Sequence, residues 1–324
     1  MRDTVAVTGA AGFIGSNLCR DLAARGYKVI GLDNLSAGTL ENVPVEIDFR
    51  EVDISQPHLA AHLSGCETVF HLAAKNCLID CANHPVETAR TNVVGTVNLL
   101  EAMVAARVPH LVYADTSAEY EGVLEFPSRI DRVRPLSIYA CSKRSGALMC
   151  ESFATLHGMN VSFVRYFNVY GPAQDWRRVV PPIMSAFTIK LLSGERPIIY
   201  GLGNKRRDFI HVDDVNCFHR MLLENRSLRG GTYNLGYGKD YSVLEVFDLI
   251  KAIVGSNLQP QFQSELPGEA ERTSADISQT LATGWRPRVD LQEGLTRFVD
   301  YTRARLGGCA NALEPPGLIV GPWV

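Results

Sequence analysis

Short runs rich in β-branched residues alternate with amphipathic stretches through the first half of the chain. TVAVTG (4–9) precedes NLCRDLAARG (17–26), and KVIGLD (28–33) and VEIDFREVD (45–53) follow before PHLAAHLSG (57–65). TVFHLAA (68–74) leads into the long segment PVETARTNVVGTVNLLEAMVAARV (85–108), and HLVYADTS (110–117) and VSFVRYFNV (161–169) bracket one further helical pattern. Near-continuous apolar strands separated by helices predict a parallel sheet with right-handed crossovers, covered on both faces. The expected class is therefore α/β, a Rossmann-type doubly wound sheet over residues 1–170. After Gly171-Pro172 the period is less regular, with a helix-like VVPPIMSAFTIKLLSG, a turn-rich YGLGNKRRDF, helices from Asp213 and Ser242, and a strand near GTYNLG. This predicts a smaller α/β lobe over 171–306, partly woven back into the sheet. The Gly- and Pro-rich stretch 307–324 is expected to be a tail.

Composition narrows the partners. A chain of 324 residues, 46% hydrophobic, can bury a large core, and its net charge of −3 gives no general reason to bind nucleic acid or an anionic membrane. No apolar run approaches the ~18 residues of a spanning helix, and the first residues lack a signal-peptide pattern, so a soluble cytoplasmic protein is expected. The eight cysteines are scattered, which suits buried free thiols. Cys77 and Cys81, with His71 and His84 nearby, lack the second half of a metal site, and none is expected. In HVDDVNCFH, Asp213 or Asp214 is expected to cap the following helix, with His211 and His219 structural.

Candidate chemistry begins with SIYACSK (137–143). On a helix, Tyr139 and Lys143 are neighbours one turn apart. An ammonium there favours phenolate and makes the tyrosine a usable base, although a surface Tyr-Lys contact has the same spacing. VTGAAGFIGSNL places Gly9, Gly12 and Gly15 between the first strand and the first helix, where backbone can approach a pyrophosphate at a helix N-terminus. Asp33 ends the second strand, where a carboxylate accepts the ribose hydroxyls of NAD and repels the extra phosphate of NADP. Asp53, at the end of REVD, is placed either to meet the adenine amino group or to cap the strand.

With HLAA at 71–74, YADTSAEYEG at 113–122, YACSK, VRYFNVYGP at 164–172, RRDFIHVDDV at 206–215 and ADISQTLATGWRPRVDLQEGL at 275–295, the chain resembles the extended short-chain dehydrogenase/reductase family over residues 4–300. The resemblance is to its nucleotide-sugar epimerases and dehydratases. It implies that Tyr139 removes a proton from a C4 hydroxyl while hydride passes to NAD, that Lys143 lowers the tyrosine pKa and holds the nicotinamide ribose, and that Ser117 holds the reacting oxygen. It also implies that Phe13, Ile14, Asn34, Ile54, Leu72, Ala73, Ala74 and Tyr166 join Gly9, Gly12, Gly15, Asp33 and Asp53 around the cofactor.

The same resemblance sorts the reaction. A 4-epimerase returns the hydride to the opposite face and needs no further acid or base, whereas a 4,6-dehydratase carries Asp-Glu after the Ser/Thr. Here Ala118 stands for the acid, and Glu119 is either a remaining base or a solvent-facing residue, so an epimerase is expected with the dehydratase as alternative. A catalytically silent NAD sensor would not need the intact Ser117, Tyr139 and Lys143. For the substrate, the resemblance implies Arg207 on the diphosphate, Asn168 on the sugar or diphosphate, Thr116 as a second hydroxyl, and Val180 by the uridine. Leu266 and Glu269 replace a second diphosphate arginine and its acid, with Arg272 a possible substitute. Thr273, small where a tyrosine would exclude N-acetyl groups, suggests UDP-N-acetylhexosamine with plain UDP-hexose also admitted. Lys75 or Arg90 would suit a uronate instead. Relatives pair two helices from each subunit in a homodimer, here through the 85–107 segment and the Tyr139 helix, offering Val93, Val97, Leu100 and Leu148.

Overall fold

The computed structural model describes residues 3–176, 180–265 and 270–308, so the expectations for Leu266, Glu269 and the tail beyond residue 308 lie outside the described residues. Its main sheet is built from β1 (Thr4–Thr8), β2 (Lys28–Asp33), β3 (Asp48–Glu51), β4 (Cys66–His71), β5 (His110–Thr116) and β6 (Asn160–Tyr166). Strands β7 (Asn168–Tyr170), β8 (Ile198–Tyr200) and β9 (Arg206–His211) follow, then β10 (Thr232–Leu235), β11 (Asp240–Ser242) and β12 (Gln261–Gln263). Among the described residues seven strands form one parallel sheet in the order β10-β6-β5-β4-β1-β2-β3. The chain reverses its direction of winding between β1 and β4, which opens a crevice at their C-terminal ends.

The strands are apolar throughout because both faces are covered. Val5 and Val7 of β1, Val112 and Ala114 of β5 and Val164 of β6 point to one side, into a core with Leu18, Leu22, Phe218 and Trp285. Their alternates Ala6, Leu111, Tyr113 and Phe163 point to the other, against Leu99, Leu100 and Met103. The helices are α1 (Phe13–Ala24), α2 (Leu78–Asn83), α3 (Pro85–Ala89), α4 (Gly95–Ala106), α5 (Ile138–His157), α6 (Ile183–Leu192), α7 (Val212–Glu224), α8 (Val243–Val254), α9 (Ser278–Ala282) and α10 (Leu291–Gly308). Strand β10, from the second half of the chain, extends the main sheet beside β6. The remaining C-terminal elements close over a third core of Tyr170, Phe187, Phe209, Phe247, Leu295 and Phe298, with β9 between β7 and β11 and β12 paired to β8.

Three expectations are corrected here. Strand β3 stops at Glu51, so Asp53 lies in the turn beyond it, its carboxylate accepting the Ser55 amide at 2.8 Å. Helix α7 is capped by His211, whose Nδ1 accepts the Asp213 amide at 3.2 Å. Asp213 and Asp214 occupy its first turn, and Asp214 instead takes the amides of Arg288 and Val289 at 2.9 and 3.0 Å. Leu100, offered as a dimer contact, is fully buried in the chain's own core, whereas Leu148 is exposed and Val93 and Val97 are half-buried.

Candidate active site

Gly9 has φ +73°, and a Cβ there would stand 2.8 Å from the Ala73 amide nitrogen; a Cβ on Gly15 would meet the Gly9 carbonyl at 2.0 Å. Only glycine lets β1, the loop and α1 approach this closely. Gly12 is the N-cap of α1 and brings no side chain to it, so the first-turn amides, including those of Phe13, Ile14 and Gly15, lack intrahelical partners at the positive helix end. Asp33 closes β2 with Oδ2 on the Ala11 amide at 3.0 Å and Oδ1 on the Leu35 amide at 2.8 Å. Burial raises its pKa, against the lowering by the amides of Leu35, Ala11 and Asn34. Asn34 binds Ser36 through its own oxygen, and buried Ile54 packs beneath Gly95. Leu72 and Ala73 donate their amides to the Thr8 carbonyl and hydroxyl, both at 3.2 Å, and half-buried Ala74 follows. These residues follow the C-terminal ends of β1 to β4 around the switch point, and the glycine loop with the Asp33 carboxylate beyond it fits a dinucleotide.

Sequence reasoning missed the polar chain beneath this crevice. Thr8 Oγ1 and Thr96 Oγ1 hold the two nitrogens of His71 at 2.8 and 3.0 Å. Burial, with Lys143 nearby, lowers the pKa of that imidazole to about 3, so it is neutral and fixes strand to helix.

Helix α5 carries the candidate base. Its N-cap Ser137 accepts the Ala140 amide at 3.1 Å, while Glu121 receives the Ser137 amide and hydroxyl at 2.8 and 3.0 Å. Glu121 thereby joins the helix start to the end of the turn that carries Ser117. Tyr139 is half-buried, and Lys143, one turn later, is 3% exposed. The Lys143 Nζ lies 4.0 Å from the centroid of the Tyr113 ring. Burial lowers its pKa to about 8, opposed by Asp115 and Glu119. A π-helical turn at Arg90–Val94 carries Asn92, whose side chain binds both the amide and the carbonyl of Lys75 and the Ser142 hydroxyl at 2.8 to 2.9 Å. Such turns recur at functional sites. The available clue was Gly146 inside a helix pattern: a Cβ there would meet the Tyr113 hydroxyl at 2.5 Å and the Asn92 carbonyl at 2.9 Å.

At the end of β5, Thr116 Oγ1 accepts the Ala118 amide at 3.1 Å and opens the turn Ser117–Tyr120, in which Ser117 is half-buried. Of the two expectations for Glu119, a remaining base or a solvent-facing residue, the second is corrected. The turn folds back across the strand end and encloses Glu119 completely, 2.9 Å from Arg165 Nη2. Burial and then Asp115 push its pKa up to about 7, with Arg165 opposing.

On the substrate side, Asn168 donates to the Asp208 carbonyl at 3.0 Å and to Thr273 Oγ1 at 3.1 Å. Backbone bonds between Thr273 and both Arg206 and Asp208 hold that segment along β9. Arg207 Nη1 donates to the Arg206 carbonyl at 2.9 Å, and half-buried Val180 precedes α6. Arg272, the possible diphosphate substitute, is half-exposed and donates its Nε to Asp240 at 2.6 Å, a carboxylate that it shares with Arg206. The Tyr166 hydroxyl is bonded inside the core to His219 at 2.7 Å, away from the crevice role expected of it. Burial lowers the pKa of His219 to about 3. Lys75 is paired with Glu87 and Asp80 at 2.7 and 3.2 Å, and Arg90 is exposed.

A doubly wound sheet with a glycine loop, a strand-end carboxylate and a Tyr-Lys helix defines the extended short-chain dehydrogenase/reductase class. Within it, the chain belongs to the NAD dependent epimerase/dehydratase family, whose model matches residues 5–236, and its cofactor is NAD. It is 34% identical over 303 residues to the putative UDP-glucose 4-epimerase of Methanocaldococcus jannaschii, covering 92% of this chain and 98% of that one. The UDP-glucose 4-epimerase of Thermotoga maritima, solved with UDP-glucose, superposes with TM-score 0.90 at 34% identity, covering 94% and 99% of the two chains. That of Thermus thermophilus, solved with NAD, superposes with TM-score 0.85 at 33% identity, covering 93% and 99%.

Proposed function

We propose that the protein is an NAD-dependent UDP-sugar 4-epimerase acting on UDP-N-acetylglucosamine, UDP-glucose or both. The carrying observation is the enclosure of Glu119 against Arg165 in a chain that keeps Tyr139 and Lys143 on one turn: the base for oxidation is retained, and the side chain offered for elimination is withdrawn. Similarity to two UDP-glucose 4-epimerases and to a protein named as a putative one supports the same reaction.

NAD would lie against the first turn of α1 with its adenosine ribose at Asp33, and when bound it supplies an acceptor that takes the C4 hydride and later returns it. The protein handles the proton and the sugar. Tyr139, as phenolate, accepts the C4 hydroxyl proton, and the Lys143 ammonium favours that phenolate. Ser117, with Thr116 as a second hydroxyl, holds the reacting oxygen. The 4-keto sugar then turns within the pocket, and Tyr139 gives its proton back to the C4 oxygen as the opposite face is reduced. Asn168 and Arg207 are assigned to the sugar and diphosphate, Val180 to the uridine, and Thr273 to the space beside C2.

The uronate alternative is less favoured because Lys75 is held by two carboxylates. A homodimer is proposed through the 85–107 segment and α5, where Val94, Leu148, Met149 and Leu156 are exposed. A cytoplasmic location accords with the nucleotide cofactor, and among the described residues no helix is long and apolar enough to cross a membrane.

Proton NMR of the purified protein with UDP-N-acetylglucosamine, UDP-glucose and UDP-glucuronate in separate tubes, without added NAD, tests the proposal. The galacto isomer of at least one of the first two is expected at unchanged mass; loss of water, or conversion of the glucuronate alone, would contradict it.

A further inference from the structure

The mechanism leaves a buried charge cluster unused. Asp115 of β5 and Glu119 of the turn that follows both grip Arg165 of β6, each at 2.9 Å and each almost wholly enclosed. Asp115 and Arg165 are register partners across adjacent strands, so the pair is built into the sheet. Arg165 also donates to the Tyr120 hydroxyl at 2.9 Å and the Ile130 carbonyl at 2.8 Å. Asp115 Oδ1 and both carboxylate oxygens of Glu119 are buried without a hydrogen-bond partner among the described residues. A buried carboxylate oxygen left in that state is unfavourable unless a nearby cation compensates.

Arg165 compensates at Oδ2, and a second cation, Lys143, stands on the same face of the sheet. Asp115 and Tyr113 are two residues apart on β5 and therefore share the face on which Tyr113 carries the Lys143 ammonium. The charged and titratable groups around Lys143 are Tyr113 and Asp115 on β5, Glu119 in the turn, Arg165 on β6, His71 on β4, and Tyr139, Arg144 and Cys150 on α5. Burial leaves His71 neutral and pushes the Cys150 thiol up, so neither brings a charge near pH 7. Glu119 is held near neutral titration. Arg144 is engaged with Glu151 at 3.0 Å.

We propose that Asp115 is a positioning residue for the reaction, its carboxylate, clamped by Arg165 beneath the catalytic turn, serving as the countercharge that keeps the enclosed Lys143 an ammonium. This rests on the epimerase reading of Tyr139 and Lys143. In a water-poor interior such a charge acts far more strongly than at the surface, and it counters the burial that already draws the Lys143 pKa down to about 8. Without it, Lys143 loses its proton at a pH where the enzyme must work, and Tyr139 loses the charge that makes it a base.

The test is a pH titration of the purified protein carrying ¹⁵Nζ-labelled lysine, followed by NMR, with the Lys143 signal assigned through Lys143→Met. In Asp115→Asn the Lys143 midpoint is expected to fall by about one pH unit, and the alkaline limb of kcat/KM should move with it, while Asp115→Glu restores both. Glu119→Gln, which leaves the Asp115–Arg165 pair in place, is expected to move the midpoint by no more than a few tenths of a unit. An unchanged midpoint in Asp115→Asn, or a full shift in Glu119→Gln, overturns the assignment. A purely structural role would lower the rate evenly across pH and leave the limb where it was. Because the midpoint is read without turnover, its failure is distinct from failure of the epimerase reading, which would show as a wild type that converts no UDP-sugar.

Discussion

The Tyr113 hydroxyl donates a 2.9 Å hydrogen bond to the backbone carbonyl of Lys143, and the same tyrosine ring lies under the Lys143 ammonium at 4.0 Å. One side chain of β5 thus fixes both ends of Lys143, the lysine on α5 proposed to act in catalysis. Tyr113→Phe keeps the ring and removes a second donor from a carbonyl that also takes its helical amide within α5, so a loss of about 0.5–1.5 kcal/mol in unfolding free energy is expected. Urea titration checks it, and kcat should fall more than KM rises, because the defect lies at Lys143.

Lys143 also sets a pH-dependent stability difference. Its pKa in the folded protein is lowered to about 8 from the ordinary 10.5. Between those values the unfolded chain binds the extra proton and the folded one does not, so this group's contribution to stability rises with pH across that window. Lys143→Met removes the buried charge. Its stability relative to wild type should be constant below about pH 8 and become progressively less favourable from there towards pH 10.5. Thermal unfolding of both proteins across that range measures the difference.

Tyr139→Phe keeps the ring and removes the proton acceptor. A fall in turnover of roughly 10²–10⁴-fold is expected, with NAD still retained on desalting. Near-normal turnover would remove the assigned base.

Thr273→Tyr tests the sugar assignment. Thr273 shares a hydrogen bond with Asn168 and is fixed by backbone bonds to β9, so a larger ring there has little freedom to move aside. Turnover of UDP-N-acetylglucosamine should fall at least ten-fold further than that of UDP-glucose, equivalent to roughly 1.4 kcal/mol of discrimination. Equal losses would show that residue 273 is no gate.

Features that depend on neighbours in sequence were legible. The glycine loop before α1, Asp33 at the end of β2 and the i,i+4 spacing of Tyr139 and Lys143 are set within one turn or one strand end. The parallel sheet followed from apolar strands alternating with helices. Long-range pairing was not legible. Nothing local marks β10 as a partner of β6, or directs Glu119 to Arg165, far along the chain, rather than to water. His211 as a cap was missed because an imidazole can accept the same amide that an aspartate would. Leu100 was ambiguous because an apolar helix position fits a dimer contact and a core equally, and only the packing of α4 against the sheet decides it.

The central claim is that C4 is oxidised and re-reduced within one binding event. Whichever of UDP-glucose and UDP-N-acetylglucosamine the protein converts, deuterated at C4 and incubated with the purified protein in ordinary water, tests this most directly by NMR and mass spectrometry of the product. The galacto isomer that keeps its deuterium at C4 is the predicted result. Product with solvent hydrogen at C4, or a dehydrated sugar, would contradict the account.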